Sequence, residues 1–593
     1  MTSETTYQSR TDSFDEKIHL LKSAYESGKL EFAMSLAESI KDTLILERQM
    51  GDATSLTPPT LRTEDFGETE ELPSQWAEWA RGWRFYKVVA LDEPVGLPRS
   101  CEPAELIVSF NADQISTPMR EVRIARIDDN AGILTEVPCQ VYNEVRRGAE
   151  HVCQILFLAD VPANGRTTYL IFYGNPYAEL PNYQTDLKVS GEGFGLDIEN
   201  GHYIAKLSRQ MGQLERLIYK QAHGLELFAG GEGHGEPPGI DWAHDYVSAE
   251  GFQKFRVTNW EQPPNYEVIK GPLCVKVRRW GFPHSTVHPL YLPTRMHIDV
   301  TYTFYANAPY FEKQSRMDII KPLEITYLRD DEWVFSGYSF TDCVWMGSDG
   351  ILHEGEVPGD QANDLWAVGF YHRQSRDAFI ALRLSHAAKN FEGGFYHSGV
   401  PVLDYKGHGQ LWSRWAVHNA QFEAGASLQQ HNAYLVSAYP AEGGEEAVQK
   451  CREKLLNPLV ADKADASLIE RASSTCYGSL ARRGERNEGQ VDKDAVWEAL
   501  RDCKDDQLYQ VDANVVDMGL IYDVRIQGNH VQIVMTMPHH GRPKYGFIAN
   551  PIRERLLQLD GVREVAITNV WEPAWSVHRL TDTARKMLDL PQV

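Results

Sequence analysis

The sequence predicts a mainly β protein, with an antiparallel β-sandwich and a large β super-sandwich between an N-terminal helical hairpin and a small C-terminal α/β domain. Three observations predict it. From about residue 80 to residue 440, short apolar runs alternate with polar residues at a period of two and are separated by turn residues. Residues 13–47 instead repeat apolar residues at helical spacing. Residues 494–593 contain both patterns, some runs with a period of two and others with helical spacing.

Composition limits the class of protein and its partners. The 593 residues are enough for three or four domains, and a net charge of −24 argues against nucleic acid or an anionic membrane as the main partner. The first ten residues lack the apolar segment of a secretory signal, and no apolar run is long enough to span a bilayer. We therefore expect a cytoplasmic protein. The eight cysteines form no Cys-x-x-Cys pair, which predicts reduced thiols.

The N-terminal part is expected to be a helical hairpin over 13–50. Ser13 and Glu16 have the spacing of a capping box, and two apolar stripes flank the break at Gly28. Stripes of this kind pack on the same chain or on a second subunit, so we expect a homo-oligomer. A linker rich in acidic residues, Pro and Thr follows over 51–80.

The small β-sandwich is expected over 81–180, because five runs have strand character and are separated by turn residues. These runs are Leu106–Phe110, Glu121–Arg126, Leu134–Tyr142, Val152–Leu158 and Thr168–Phe172.

The super-sandwich is expected over 190–458. Apolar and polar residues alternate along Arg295–Tyr305, which predicts a strand with one buried face. Further strands are predicted at Ala378–Leu384 and Asn432–Ala438, and a helix at Gly444–Leu456 is expected to close the domain. Residues 459–493 have few large apolar groups and are expected to be a linker.

One stretch of this domain is similar in sequence to known proteins. Residues Leu196-Asp197-Ile198-Glu199-Asn200-Gly201-His202-Tyr203, followed by Gly212-Gln213-Leu214, resemble the opening of the super-sandwich in family-38 glycoside hydrolases. Exo-rhamnogalacturonan-lyase-like proteins begin similarly. The resemblance implies a super-sandwich fold and a carbohydrate substrate. The mannosidase barrel and its nucleophile are absent, so the catalytic residues of that family do not transfer to this chain.

The C-terminal domain, over 494–593, has its own motifs. Strands are predicted at Ile521–Ile526 and Val531–Met537 around a Gly528-Asn529 turn, and helices at Gly546–Leu559 and Thr581–Leu588. The motifs Asp517-Met518-Gly519-Leu520-Ile521 and Trp571-Glu572-Pro573-Ala574-Trp575-Ser576 resemble the PaaD/SufT-like domains associated with iron–sulfur cluster assembly. In that family a cysteine follows the second strand, but here Arg542 stands at that position. Arginine cannot ligate a metal as a thiolate does.

Candidate site residues concentrate between 230 and 300, where a Gly-rich run with His and acidic side chains cannot be explained by core packing. Imidazole and carboxylate groups suit a divalent metal such as Zn, Mn or Fe, whose bound water becomes a nucleophile or base. The expected metal ligands are His234, Glu236, His284, His288 and His297. The expected catalytic residues are His244, Asp245, Tyr246 and Arg279, which would also serve in a metal-free acid/base site. The expected substrate-binding residues are Trp242, Arg278, Tyr396, His397 and Trp412.

The chain has no nucleotide-binding or common hydrolase motif, so no nucleotide cofactor is expected. The favoured hypothesis is a catabolic lyase or hydrolase that acts on a carbohydrate or other polyhydroxylated substrate in the super-sandwich cleft. Two alternatives stay open. One is a metal-dependent enzyme acting on a small aromatic or amide substrate, and the other is a non-enzymatic protein of iron–sulfur maturation.

Overall fold

The computed structural model describes most of the chain. The described residues are 5–11, 14–51, 59–128, 133–220, 226–228, 246–248, 254–260, 264–285, 296–334, 342–356, 365–391, 403–404, 411–464, 491–504, 514–527, 529–536, 545–559, 561–570, 575–576 and 579–587. They form a mainly β protein with several antiparallel sheets, which confirms the predicted fold class. Among them, no helix is long and apolar enough to cross a membrane.

The N-terminal segment consists of a strand, Thr6–Arg10 (β1), and two helices, Phe14–Glu26 (α1) and Leu30–Gly51 (α2). The helices form the predicted hairpin around Gly28, whose φ of 74° favours glycine. Strand β1 is a finding that the sequence did not predict. It pairs with Asn265–Lys270 and so extends a sheet of the super-sandwich.

The small β-sandwich has two sheets around one core. Its elements are Gly67–Glu68 (β2), Ser74–Trp79 (α3), Phe85–Asp92 (β3), Arg99–Asn111 (β4), Pro118–Glu121 (α4), Arg123–Asp128 (β5), Ile133–Val137 (β6), Cys139–Arg147 (β7), Glu150–Val161 (β8) and Arg166–Tyr173 (β9). The sheet orders are β2-β3-β9-β5-β6 and β4-β8-β7. Inward-facing side chains of both sheets, such as Val108, Phe157 and Ile171, form the core.

The super-sandwich contains most of the remaining strands. They are Lys188–Glu192 (β10), Gly195–Glu199 (β11), Tyr203–Leu207 (β12), Leu214–Tyr219 (β13), Glu226–Phe228 (β14), Tyr246–Ser248 (β15), Lys254–Trp260 (β16), Asn265–Lys270 (β17), Cys274–Gly281 (β18), Pro283–Ser285 (β19), Met296–Tyr305 (β20), Tyr310–Ile319 (β21), Leu323–Val334 (β22), Asp342–Met346 (β23), Leu352–Glu354 (β24), Ala367–Tyr371 (β25), Asp377–Lys389 (β26), Leu403–Asp404 (β27), Leu411–Phe422 (β28) and Ser427–Ala438 (β29). Helix Gly444–Leu456 (α5) follows with the predicted bounds.

Three sheets build this domain. A ten-stranded sheet runs β1-β17-β18-β20-β21-β29-β26-β25-β23-β24, a five-stranded sheet β10-β11-β12-β13-β14, and a six-stranded sheet β19-β16-β15-β22-β28-β27. One core cluster joins all three. We call the face of the ten-stranded sheet that packs in this cluster its inner face and the opposite face its outer face. Along β20, Ile298, Val300 and Tyr302 belong to this cluster, as the predicted alternation requires. Helix α5 covers part of the outer face.

After α5 the chain returns to the small sandwich as Val460–Lys463 (β30), which pairs with β3. The C-terminal domain follows. It contains Lys493–Arg501 (α6), Ile521–Gln527 (β31), His530–Met535 (β32), Tyr545–Leu556 (α7), Glu564–Asn569 (β33) and Asp582–Met587 (α8). Its sheet β31-β32-β33 has one antiparallel and one parallel pair, and it packs with α6 and α7 around its own core.

A buried glutamine joins the two sandwiches. The Gln140 Oε1 atom accepts hydrogen bonds from the backbone N–H groups of Leu273 and Cys274, each at 2.9 Å, and its Nε2 donates to the Cys274 carbonyl at 3.2 Å. A Cβ at Gly271 would lie 2.2 Å from Gln140 Cδ, so this turn requires glycine. Apolar residues of both domains, among them Tyr142 and Ile269, surround these bonds.

We predict that Gln140→Ala destabilises the protein. The substitution leaves two buried backbone N–H groups without an acceptor, at a cost of about 3 kcal/mol, which lowers the unfolding temperature by roughly 5 °C or more. Differential scanning calorimetry measures the change. Gln429→Ala, at an exposed position on β29, is the matched control and is expected to leave the unfolding temperature unchanged. A wild-type unfolding temperature for Gln140→Ala would contradict the role of this joint.

Candidate functional site

The residues that the sequence singled out fall into three groups. Eight of them lie outside the described residues: His234, Glu236, Trp242, His244, Asp245, His288, Tyr396 and His397. Three others, Tyr246, His284 and Trp412, lie on β15, β19 and β28, so the six-stranded sheet carries their backbones. The side chains of Arg278, Arg279 and His297 are described, and all three lie on neighbouring strands of the ten-stranded sheet.

Arg278 belongs to a charged row on the outer face. Its Nε and Nη2 atoms donate to the Asp299 carboxylate at 3.1 and 2.6 Å, and its Nη1 lies 3.6 Å from Glu267 Oε2. The Tyr7 hydroxyl of β1 donates to Glu267 Oε1 at 2.6 Å, so the row begins at the edge strand. The Arg278 guanidinium also lies 4.6 Å from the Trp280 ring centroid. These contacts fix the position of the Arg278 side chain. Its role in substrate binding stays a prediction.

His297 lies on the same outer face but is buried. Among the described residues its Nδ1 has no hydrogen-bond partner, and the Phe282 ring packs edge-on against the imidazole at 5.3 Å. Burial lowers the pKa of His297 to about 4, against a weaker opposing effect of Asp299. The imidazole is therefore neutral at pH 7, which is the state needed for a base or a metal ligand.

Arg279 points to the inner face, because adjacent residues of a strand point to opposite sides. Its guanidinium is fully buried, its Nη1 donates to the Met211 carbonyl at 2.6 Å, and its Cζ lies 5.1 Å from the Tyr302 ring centroid. Gly212 makes room for it, since a Cβ there would lie 2.3 Å from Arg279 Cδ. Arg278 and Arg279, which the sequence predicted to belong to one site, therefore project from opposite faces of the sheet.

Further polar side chains that the sequence did not indicate share the inner face with Arg279. Lys313 on β21 lies directly across from Tyr302, Asn432 lies across from Lys313, and Arg383 lies across from Asn432. Directly paired residues project to the same side of a sheet. Lys313 and Asn432 are fully buried and Arg383 is 7% exposed. Lys313 Nζ lies 5.7 Å from the Tyr434 ring centroid.

A second row beside this one adds neutral groups. Gln430 on β29 pairs with Ser315 on one side and with His386 on the other, and the Ser315 hydroxyl donates to Gln430 Oε1 at 3.4 Å. His386 Nε2 lies 3.1 Å from Asn432 Oδ1, and Asn432 Nδ2 donates to the Tyr434 hydroxyl. We call the whole set the inner polar strip: Arg279, Lys313, Arg383, His386, Gln430 and Asn432.

The inner polar strip is chemically unusual for its place in the fold. Its neighbours Val300, Tyr302 and Tyr434 belong to the main core cluster, yet it contains three cationic side chains and two amides. Taking a cation out of water costs several kcal/mol unless partner groups compensate for it. Groups of this kind are able to bind a carboxylate, hydrogen-bond to hydroxyls and, through His386, transfer a proton.

Within the described part of the chain, no group of three or more His, Cys, Asp or Glu side chains could hold a metal ion. The seven described cysteines are all free thiols, and five of them are buried. The C-terminal domain has a single cysteine in its sequence, Cys503. Burial raises the pKa of the Cys503 thiol to about 11, so it is a poor thiolate ligand.

The C-terminal domain touches the small sandwich through charged groups. Arg120 Nε on α4 lies 2.5 Å from Glu564 Oε1 on β33, and His530 Nδ1 on β32 lies 2.9 Å from Glu564 Oε2. Neither contact with the Glu564 carboxylate has hydrogen-bond geometry. The Arg120 contact is a close ion pair, and the His530 contact is ionic only when the imidazole is protonated. The Arg120 guanidinium also donates to the Ala178 carbonyl, which fixes it on the sandwich.

Known proteins resemble the chain most clearly in this C-terminal domain. The profile of the family described as iron–sulfur cluster assembly protein matches residues 493–568. The Fe-S protein maturation auxiliary factor of Porphyromonas gingivalis is 32% identical over 82 residues, which are 14% of this chain and 76% of that protein. The chain belongs to this family through its C-terminal domain. This outcome confirms the resemblance inferred from the Asp517–Ile521 and Trp571–Ser576 motifs.

A second family member and one solved structure complete the comparison. The Fe-S protein maturation auxiliary factor YitW of Bacillus subtilis is 26% identical over 99 residues, 16% of this chain and 94% of that protein. A glycosyl hydrolase family 38 protein of Enterococcus faecalis is 10% identical, with a TM-score of 0.41, and the match covers 64% of this chain and 47% of that one. This chain thus spans less than half of that protein. Family-38 proteins are structural neighbours of the β domains, and a match at this level establishes no activity.

We predict that His297 makes stability depend on pH. An unfolded histidine has a pKa near 6.5 and folded His297 one of about 4, so the unfolded state binds more protons between these values. The contribution of His297 to stability is complete above about pH 6.5 and is lost as the pH falls toward 4. Urea unfolding at pH 7 and at pH 4.5 is expected to differ by about 2–3 kcal/mol more in wild type than in His297→Asn. His19→Asn, at an exposed position of α1, should keep the full wild-type difference. An unchanged difference in His297→Asn would refute the assignment.

Proposed function

We propose that the chain is a lyase or hydrolase that binds an anionic, polyhydroxylated substrate at the inner polar strip. The observation that carries the proposal is the presence of three buried cations, Arg279, Lys313 and Arg383, on one sheet face within the main core. Apolar residues of similar volume at these positions would pack without the desolvation cost. Buried charges at positions that apolar residues could fill are candidate functional positions.

The chemistry of the strip supports this class of ligand. A guanidinium binds a carboxylate through two parallel hydrogen bonds, and an ammonium adds a point charge. The amides of Gln430 and Asn432 are able to donate to and accept from hydroxyl groups. Cations and amides together suit an acidic sugar better than a neutral one.

His386 is the proposed proton-transfer group. The Asn432 Oδ1 atom accepts a hydrogen bond from Nε2 when the proton is on that nitrogen, and Nδ1 then carries the lone pair of a base. Cations that neutralise a substrate carboxylate stabilise the negative charge that develops when the adjacent C–H bond loses its proton. This arrangement favours elimination, and thus a lyase, over direct hydrolysis. His386 takes the proton next to the carboxylate, the C–H electron pair forms a C=C bond, and the C–O bond at the neighbouring carbon breaks, with the leaving oxygen protonated by water.

The metal predicted from the sequence remains a separate proposal. Of its five expected ligands, His297 lies on the outer face, across the sheet from the strip. A metal held by His297 would therefore act on the other side of the sheet, and the proposed reaction at the strip does not depend on it. The four catalytic residues expected from the sequence include Arg279, which joins the proposal as a carboxylate-binding group.

We predict that Lys313→Met weakens the binding of acidic sugars. Methionine keeps the length and most of the volume of the side chain but removes its charge. Galacturonate and glucuronate are expected to raise the unfolding temperature of the wild-type protein more than galactose and glucose do. The affinity for the uronates, measured by isothermal titration calorimetry, is expected to fall by about 10- to 100-fold in Lys313→Met.

Lys389→Met, at an exposed position on β26, is the matched control and should bind uronates as wild type does. Circular dichroism verifies that both variants are folded. Equal stabilisation by uronates and neutral sugars would refute the anionic substrate. Stabilisation by benzoate or benzamide instead would favour the alternative substrate class, a small aromatic or amide.

Membership in the iron–sulfur assembly family supports a second candidate function, in which the C-terminal domain serves the maturation of iron–sulfur proteins. The described residues of the domain form their own core, with residues such as Val531, Ile533 and Ile552. The family cysteine is replaced by Arg542, and the one cysteine of the domain is buried. A cluster held by thiolates of this domain is therefore not expected.

We predict that the full-length wild-type chain does not transfer a cluster to an apo-ferredoxin after anaerobic reconstitution with iron and sulfide, whereas Arg542→Cys gains iron binding. Absorbance near 420 nm and iron analysis report the binding. Lys544→Cys, two residues away, is the control for a thiol added nearby. Transfer by the wild-type chain would establish the maturation function and would show that it does not need the family thiol.

A further inference from the structure

Helix α2 has three different faces. Ala33 and Leu36 pack against Ala24 of α1 and form the interior of the hairpin. A second face contacts the super-sandwich, where Lys321 Nζ donates to Glu38 Oε2 at 2.8 Å and lies 3.3 Å from Asp42 Oδ2. The third face is not used by either contact.

This third face is an exposed apolar stripe. Leu30, Met34, Ala37 and Leu44 follow each other at spacings of four, three and seven residues, which places them on one side of the helix. Lys41, whose Nζ lies 3.6 Å from Glu38 Oε2, occupies the position between Ala37 and Leu44. Met34 is 71% exposed, Leu30 57% and Leu44 48%. On α1, Ile18 and Tyr25 are seven residues apart and are likewise exposed, at 41% and 68%. In an antiparallel hairpin the two stripes lie on the same side, so they form one surface, the hairpin stripe.

The seven-residue spacing indicates the kind of partner. Apolar residues at alternating spacings of three and four residues form the seam along which helices pack side by side. A helical hairpin with such a seam on one side is half of an antiparallel four-helix bundle. The missing half is another helical hairpin with a matching stripe.

Area and charge identify that other half as a second copy of this chain. The exposed parts of the five large stripe residues amount to on the order of 500 Å², and an isologous contact doubles this to about 1,000 Å², the size at which specific interfaces begin. Residues 14–51 contain seven acidic and five basic residues in a chain whose net charge is −24. The hairpin is therefore nearly neutral, so two copies meet there without the repulsion that the rest of their surfaces would produce.

We propose that two copies of the chain associate through the hairpin stripe and form a four-helix bundle. Sedimentation velocity of the full-length chain tests this. Wild type is expected to be a dimer at micromolar concentration, and Met34→Glu with Leu44→Glu is expected to raise the dissociation constant at least 100-fold and give monomers. Both positions are exposed, so the monomer should keep its fold and its unfolding temperature.

The control variant carries Leu20→Glu and Phe32→Glu. These residues are also exposed, at 43% and 47%, but they lie off the stripe. The control is expected to remain a dimer. Monomeric wild type at 50 µM would overturn the proposal. So would a dimer that persists in the Met34→Glu, Leu44→Glu variant, or equal dissociation of the control, because either result would place the interface elsewhere.

Discussion

The ten-stranded sheet must bury one face against two other sheets at once, and this constraint decides which side chains can meet. Side chains alternate along a strand, so the neighbours Arg278 and Arg279 are separated by the thickness of the sheet. Arg278 joins Asp299 in the outer charged row, whereas Arg279 joins Lys313 in the inner polar strip. A shift of one residue in register would exchange the two sets. The apolar residues that fix the register therefore also define the site. The same packing explains why the buried Gln140 joint matters: it holds the small sandwich against the turn between β17 and β18 of this sheet.

Much of the fold could be predicted because its central elements have strong periodic signals. Strand β20 alternates cleanly over its whole length, and helix α5 has the bounds that its pattern predicted. The misses are edge strands. Strand β1, Thr-Tyr-Gln-Ser-Arg, pairs on one side only, so it has no need for an apolar face. Strand β30 is four residues long and mostly exposed, and it occurs in a stretch that composition indicates to be a linker. Backbone hydrogen bonds stabilise such strands, and these leave little trace in the sequence.

The candidate site was harder to predict, because its residues come from strands far apart in the sequence. The high density of polar residues predicts a site within residues 230–300, a segment that contains Arg279 but not Lys313, Arg383 or Asn432. One signal was present. Lys313 and Ser315 stand at inner positions of β21 between Phe311 and Met317, where the period of two predicts apolar residues. A cation that interrupts an apolar alternation marks either an error in the assigned register or a functional position. The polar residues of the strip become neighbours only through the strand pairing, which the sequence alone does not predict.

The C-terminal domain is attached to the rest of the protein by a different kind of contact from the one that joins the two sandwiches. The sandwiches share an apolar cluster and the Gln140 hydrogen bonds, whereas the C-terminal domain has its own core and meets the small sandwich through Arg120 and Glu564. A domain with its own core does not depend on its neighbour in order to fold. Its one cysteine, Cys503, is part of that core, so the fold does not depend on cluster ligation either. Among the described residues, its attachment to the rest of the chain rests on the ionic contact between Arg120 and Glu564 and not on a shared apolar cluster.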